Sequence, residues 1–156
     1  MEIDWHARFS DQARWTKPLR DYLLQGYQIA PDAFCLEIGC GTGVISADFV
    51  ASFPCNMVGI DLDYSRCESS TRNYPYISVV NGDAYQLPFA DETFDCVICH
   101  YFLLWISTAR DVFAEIVRIL KPGGQFFAFA EPDYHARIDH PASLQPLGKL
   151  QTESLV

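Results

Sequence analysis

Apolar and polar positions along the chain follow two periods. Short, mostly apolar runs fall at 33–36, 56–60, 79–80 and 96–99, and a further one follows Gly124. Runs of this length, bounded by turn residues, read as strands buried on both faces, the pattern of a parallel sheet. Between them lie longer stretches with helical spacing. Positions 11–25 carry Trp15, Leu19, Tyr22 and Leu23 on one stripe, with Pro18 as an irregularity, and Trp15 and Tyr22 are expected to pack into the core. Helices are expected over 44–53, 64–73 and 108–120 as well. The last of these places Phe113, Ile116, Val117 and Leu120 on a stripe that should pack on the sheet. Thr108-x-x-Asp111 opens it as a capping pattern, and Pro122-Gly123-Gly124 stops it. Strand–helix alternation implies an α/β fold with a doubly wound, mainly parallel sheet. Ser143 to Val156 can supply a final helix, beginning after Pro141.

The junction after the first strand, Glu37-Ile38-Gly39-Cys40-Gly41-Thr42-Gly43-Val44, is where chemistry enters. Glycines at a strand-to-helix turn let the backbone approach a ligand closely. A dinucleotide fingerprint would need a glycine where Val44 stands. Glu37 would repel a pyrophosphate but accept a cationic or hydroxyl-bearing ligand. Asp61 ends the second strand, where an acid hydrogen-bonds the two hydroxyls of a ribose. The alternative is a helix N-cap, a role Asp63 could fill equally well. Asp83, in Asn81-Gly82-Asp83-Ala84, can accept from an exocyclic adenine amine or act as a turn cap. Jointly these groups point to a ligand of adenosine type.

Glu37 to Gly43 resembles motif I of the class I S-adenosylmethionine-dependent methyltransferases, and Ile60-Asp61 looks like their ribose-binding acid. Gly82-Asp83-Ala84, followed by Leu87-Pro88-Phe89 and Phe94-Asp95, is similar to their adenine-binding loop. Arg118-Ile119-Leu120-Lys121-Pro122-Gly123-Gly124 matches the turn before their fifth strand. The pattern is nearest to the small-molecule methyltransferases related to ubiquinone and menaquinone biosynthesis, and it covers residues 11 to 135. The resemblance implies a Rossmann-like fold, S-adenosylmethionine as cofactor, and methyl transfer to a small-molecule acceptor. It also implies that Glu37, Gly39, Cys40, Gly41, Asp61, Leu62, Asp83, Ala84 and His100 contact the cofactor. No catalytic residue is assigned. His100, directly after the fourth strand, fits a general base, a cofactor contact or a structural histidine. Glu131, Asp133, Tyr134 and His135 crowd the edge after the fifth strand. Trp5, His6, Trp15 and Tyr22 are candidates for a lid, with Arg14 or Arg20 meeting the cofactor's carboxylate.

Composition sets limits. The 156 residues suit one domain: a helical cap over 1–30, a cofactor-binding core over 31–135 and a C-terminal helix over 136–156. Only 26 residues follow Ala130, too few for the helix and two-stranded hairpin that members of the resembled family add. The expectation is a sheet lacking that hairpin, whose open edge invites a second copy or a completing partner. A net charge of −9, from 11 basic and 20 acidic residues, argues against a nucleic-acid partner. No run approaches the ~18 apolar residues of a spanning helix, and residues 2–8 lack a signal-peptide layout, so a cytoplasmic setting without a membrane partner is expected. Cys96 and Cys99 have Cys-x-x-Cys spacing, but on a strand they face opposite sides, so no metal site is expected. Two other readings stay open: a nicotinamide-dependent oxidoreductase, and a non-catalytic module that keeps the cofactor fold.

Overall fold

The computed structural model describes residues 4–132, 143 and 145–153. Five strands, β1 (Phe34–Ile38), β2 (Asn56–Asp61), β3 (Ser78–Asn81), β4 (Phe94–His100) and β5 (Leu120–Phe129), form one sheet in the order β3-β2-β1-β4-β5. Every pairing is parallel. Helices α1 (Trp5–Leu23), α2 (Val44–Ser52), α3 (Tyr64–Asn73) and α4 (Ala109–Ile119) alternate with the strands, and α5 (Gln145–Glu153) falls where the final helix was expected. Ile38 of β1 stands level with Ile60 of β2 on one side and Cys99 of β4 on the other. Strand order reverses between β1 and β4, and a doubly wound sheet opens its ligand crevice beyond the strand ends at that point.

The apolar runs are buried on both faces. Cys35, Cys96 and Ile98 pack with Ile45 and Phe49 of α2 and with Phe129, while Leu36, Ile38, Val97 and Cys99 pack with Val112, Ile116 and Ile119 of α4. Cys96 and Cys99 therefore lie in different core layers on opposite sides of the sheet, as strand alternation requires.

Three expectations about helices are corrected. First, α1 begins at Trp5, capped by Asp4, whose carboxylate accepts from Ala7 N at 2.9 Å. Its buried face is Ala13, Thr16 and Arg20, while Trp15 and Tyr22 are 73% and 72% exposed. The cause is Arg20: its guanidinium donates to Ala13 O (2.9 Å), Thr16 Oγ1 (2.6 Å) and Asp48 Oδ2 (2.6 Å). A buried cation needs such partners, and providing them rotates the aromatic stripe outward. Second, α4 buries Ile116 as expected, but together with Val112 and Ile119 rather than with Phe113 and Val117. Val117 is exposed, and Phe113 reaches Phe126 edge-on with ring centroids 5.9 Å apart. Third, Thr108 sits at the N-cap of α4 without a side-chain capping bond.

β5 starts at Leu120 rather than after Gly124. Its pairing with β4 is irregular between Phe94 and Cys96, where Lys121-Pro122-Gly123-Gly124 bulges before regular register resumes at Gln125. Among the described residues, β5 pairs with β4 alone and no hairpin follows it. No described helix is long and apolar enough to cross a membrane.

Candidate functional site

A cleft of about 790 Å³ opens beyond the carboxyl ends of β1, β2 and β4. That size lies within the ~300–1,000 Å³ usual for cofactor and small-molecule sites. Glu37, Gly39, Cys40, Gly41, Asp61, Leu62, Asp83, Ala84 and His100 all line it.

The glycine turn hangs from the end of β2. Gly39 N and Cys40 N donate to Ile60 O at 2.8 and 3.0 Å, and Gly41 N donates to Asp61 Oδ2 at 2.8 Å. Asp61 Oδ1 accepts from Asp63 N at 2.9 Å. Asp63, not Asp61, caps α3, accepting from Ser65 N and Arg66 N. The cap that sequence left open between the two acids thus falls to Asp63. An ionised carboxylate offers about four acceptor positions, so Asp61 keeps acceptor capacity toward the cleft. Asp83 behaves similarly: Oδ1 takes Tyr85 N at 2.9 Å, and the side chain is otherwise exposed in the cleft wall.

Glu37 is buried beneath the turn, with Ser46 Oγ donating to it. Burial pushes its carboxyl up to about 8, so it is largely protonated at neutral pH. His100 Nε2 bonds Thr16 Oγ1 at 2.8 Å. Burial, followed by the nearby Arg20 cation, pushes its imidazole down to about 4, and the ring is neutral at pH 7. Glu131 accepts from Phe102 N and Leu103 N, both at 2.9 Å, and thereby holds the loop after β4. Asp133, Tyr134 and His135 lie outside the described residues.

The arginine expectations are corrected. Arg14 is exposed and paired with Asp11 at 2.9 Å, and Arg20 is committed to Asp48; neither lines the cleft. Arg8 and Arg66 do. The Arg66 guanidinium lies 5.4 Å from the Trp5 ring and 5.6 Å from the Phe9 ring, a pair of cation–π contacts that fastens α1 across the cleft. His6 adds a bond to Thr42 Oγ1 at 3.0 Å. The signal for this face was present as Trp5, Arg8, Phe9 and Gln12, spaced i, i+3, i+4 and i+7. The opposite wall is apolar: Phe102, Leu104, Trp105 and Ile106 follow β4.

Fold and cleft together define a doubly wound α/β protein with its ligand crevice at the switch point of the sheet. A family model described as "Methyltransferase domain" matches residues 36–128, and the chain belongs to that family. A sterol 4-C-methyltransferase of Caenorhabditis elegans is 29% identical over 119 residues, covering 72% of this chain and 35% of that protein. A demethylmenaquinone methyltransferase of Bacillus licheniformis is 32% identical over 122 residues, covering 75% and 51%. The chain therefore spans between about a third and about half of the length of these relatives. Geranyl diphosphate C-methyltransferase from Streptomyces coelicolor A3(2), solved with Mg2+, geranyl-S-thiolodiphosphate and S-adenosyl-L-homocysteine, matches with a TM-score of 0.65 at 20% identity. That match covers 73% of this chain and 42% of the other, and it shows the shared fold. With the family comes its cofactor, S-adenosylmethionine, and the nicotinamide reading gives way to it.

The residues present fit that cofactor. Two carboxylates with spare acceptor positions stand on one side of the cleft, a glycine turn permits close approach, and Glu37 is a buried acid that a ligand ammonium would match.

Proposed function

We propose that the protein transfers a methyl group from S-adenosylmethionine to a small, largely apolar acceptor. The observation that carries this reading is the convergence, in one cleft, of the glycine turn and the Asp61 and Asp83 carboxylates with the apolar wall after β4. The names of the sterol and menaquinone relatives support an apolar acceptor. When bound, the cofactor supplies a methyl group already activated on a sulfonium. The chain's own residues then bind and orient. Asp61 accepts from the ribose hydroxyls, Asp83 from the adenine amine, and Glu37 meets the ammonium of the amino-acid end. Neutral His100 offers that end a polar contact without adding charge. Phe102, Leu104 and Ile106 exclude water around the acceptor, which keeps the reacting groups in a near-attack geometry.

Parallel calorimetric titrations with S-adenosylmethionine, S-adenosylhomocysteine and NAD test the first half of the reading. The first two are expected to bind in the micromolar range and NAD not at all; the reverse order of affinity would reject it. Transfer of labelled methyl to extracted apolar metabolites, compared with charged ones, tests the second half.

Glu37 provides a pH test. In the ligand-free protein its carboxyl titrates near 8 because burial disfavours the anion. A bound ammonium favours the anion, so the group loses its proton on binding. Affinity should therefore rise with pH up to about 8 and level off above it. Titrations at pH 7 in buffers of different ionisation enthalpy should report release of up to one proton. No release, or uptake, would remove Glu37 from the ammonium site.

The same proposal extends to organisation and setting. The 1–30 segment acts as a cap on a 31–135 core, and the segment after the core carries α5 (Gln145–Glu153). The open edge of β5 is offered to a second copy or a completing partner, since its outward ladder groups are unpaired among the described residues. Six free thiols suit a reducing cytoplasmic setting, and the −9 charge suits partners other than nucleic acid.

A further inference from the structure

Loop 101–108 carries the apolar wall of the cleft, and it is held at both ends by side chains from other elements. At its start, Glu131 takes the Phe102 and Leu103 N–H groups. At its end, Tyr85 Oη accepts from Ser107 N at 2.7 Å and Thr108 N at 3.0 Å, and stands 3.1 Å from Ser107 Oγ. A phenol accepts two hydrogen bonds and donates one, so this oxygen is fully satisfied when it donates to Ser107. The phenol thus serves the two N–H groups just ahead of α4, while the Asp111 N–H donates to Thr108 O at 3.1 Å and Thr108 makes no side-chain cap.

The other end of Tyr85 is equally committed. Its backbone N–H donates to Asp83 Oδ1 at 2.9 Å, within the turn that faces the cleft. One residue thus joins the Asp83 carboxylate to the loop bearing Leu104, Trp105 and Ile106, across 22 positions of sequence.

We propose that Tyr85 is a positioning residue that ties the acceptor wall of the cleft to the cofactor's adenine end, so that filling one orders the other. The inference rests on the methyltransferase reading above. When ligand engages Asp83, the Asp83–Tyr85 turn is fixed; the phenol then fixes the Ser107 and Thr108 amides, and with them the wall. Cofactor binding in this way prepares the surface that receives the acceptor.

The test is hydrogen exchange at the Leu104, Trp105 and Ile106 amides, with and without S-adenosylhomocysteine, which needs no knowledge of the acceptor. In the parent protein the ligand should slow exchange there about tenfold, as expected when hydrogen bonds of ordinary strength are reinforced. Ser107→Ala keeps both N–H···Oη bonds and should behave as the parent. Tyr85→Phe keeps the ring and deletes only the oxygen. It should bind S-adenosylhomocysteine within about threefold of the parent, since the ring that lines the cleft is kept and the deleted oxygen is committed to Ser107 and Thr108, while the slowing at 104–106 is lost. Ser107→Pro removes one of the two donors from the other side of the link and should diminish the slowing even if Tyr85→Phe folds poorly. Slowing that persists in Tyr85→Phe and Ser107→Pro, or is absent from the parent, would overturn the proposal. So would a larger loss of affinity in Tyr85→Phe, which would make the phenol a cofactor contact. If the parent itself fails to bind S-adenosylhomocysteine, the methyltransferase reading fails instead.

Discussion

Asp61→Ala is expected to lower the affinity for S-adenosylhomocysteine by on the order of a hundredfold or more, since charge-assisted hydrogen bonds are each worth about 1.5–3 kcal/mol. Two such bonds to the ribose hydroxyls are at stake. The same carboxylate also accepts from Gly41 N and Asp63 N, so alanine leaves the Gly41 N–H without a partner inside a buried turn. A thermal or denaturant measurement should therefore show lower stability as well, by roughly 1–3 kcal/mol for each orphaned group. Asp61→Asn separates the two effects. Its amide oxygen can still accept one backbone N–H, but the side chain no longer presents a charged acceptor to the ribose. It should retain more stability than alanine and recover little of the affinity. Calorimetry on variants confirmed as folded by circular dichroism gives the answer: unchanged affinity in Asp61→Ala would remove Asp61 from the ribose site.

The contrast between Asp61 and Asp63 shows where sequence suffices. Both acids follow the same strand, and spacing alone allowed either to cap α3. The cap went to the residue directly before the helix, as local geometry dictates. Glu37, Gly39 and Gly41 were equally legible, because a strand, a turn and a helix in succession determine where their atoms go. The four strands before β5, and α3, were readable for the same reason.

What sequence did not show depends on partners far along the chain. The stripe of Trp15 and Tyr22 looked like a core face by periodicity, yet Arg20 decides the rotation of α1 through Asp48, 28 residues away. Thr16 then meets His100, 84 residues away. Nothing local marks these pairings, and a buried guanidinium outweighs an aromatic stripe because its desolvation must be compensated. Arg66 stacking on Trp5 and Phe9, and Tyr85 capping the approach to α4, are of the same kind. Each is a side chain borrowed from another element to do a job that local sequence assigns elsewhere. The Arg66 and Tyr85 contacts lie at the cleft, so its glycine turn was readable from motifs while the distant partners that hold its other walls were not.

Gly43→Ala is the second large effect expected, and it falls on stability. Gly43 stands at the N-cap of α2 with φ +83°, in the left-handed region. An alanine there costs about 1–2 kcal/mol for the backbone alone. Its Cβ would also run into Ser70 Oγ and would lie 3.0 Å from the Tyr74 ring, where α3 packs against the turn. Overpacking of that kind costs roughly 1–3 kcal/mol. The sum, about 2–5 kcal/mol, is a large part of the ~5–15 kcal/mol that holds a domain of this kind together. Ser70 makes the origin separable. Its hydroxyl is buried without a hydrogen-bond partner among the described residues, so Ser70→Ala alone should be neutral or stabilising by up to about 1 kcal/mol. In the double variant the Ser70 part of the collision disappears and the backbone strain remains. Denaturant unfolding should therefore show the Gly43→Ala loss partly restored by Ser70→Ala, beyond the sum of the single effects. Strict additivity would mean that the loss is conformational and that α2 and α3 do not meet at this glycine. The same turn sets the Gly41 N–H on Asp61, two residues before the collision. A loosened α2–α3 contact should then also reach the cofactor affinity, linking this packing contact to the site it supports.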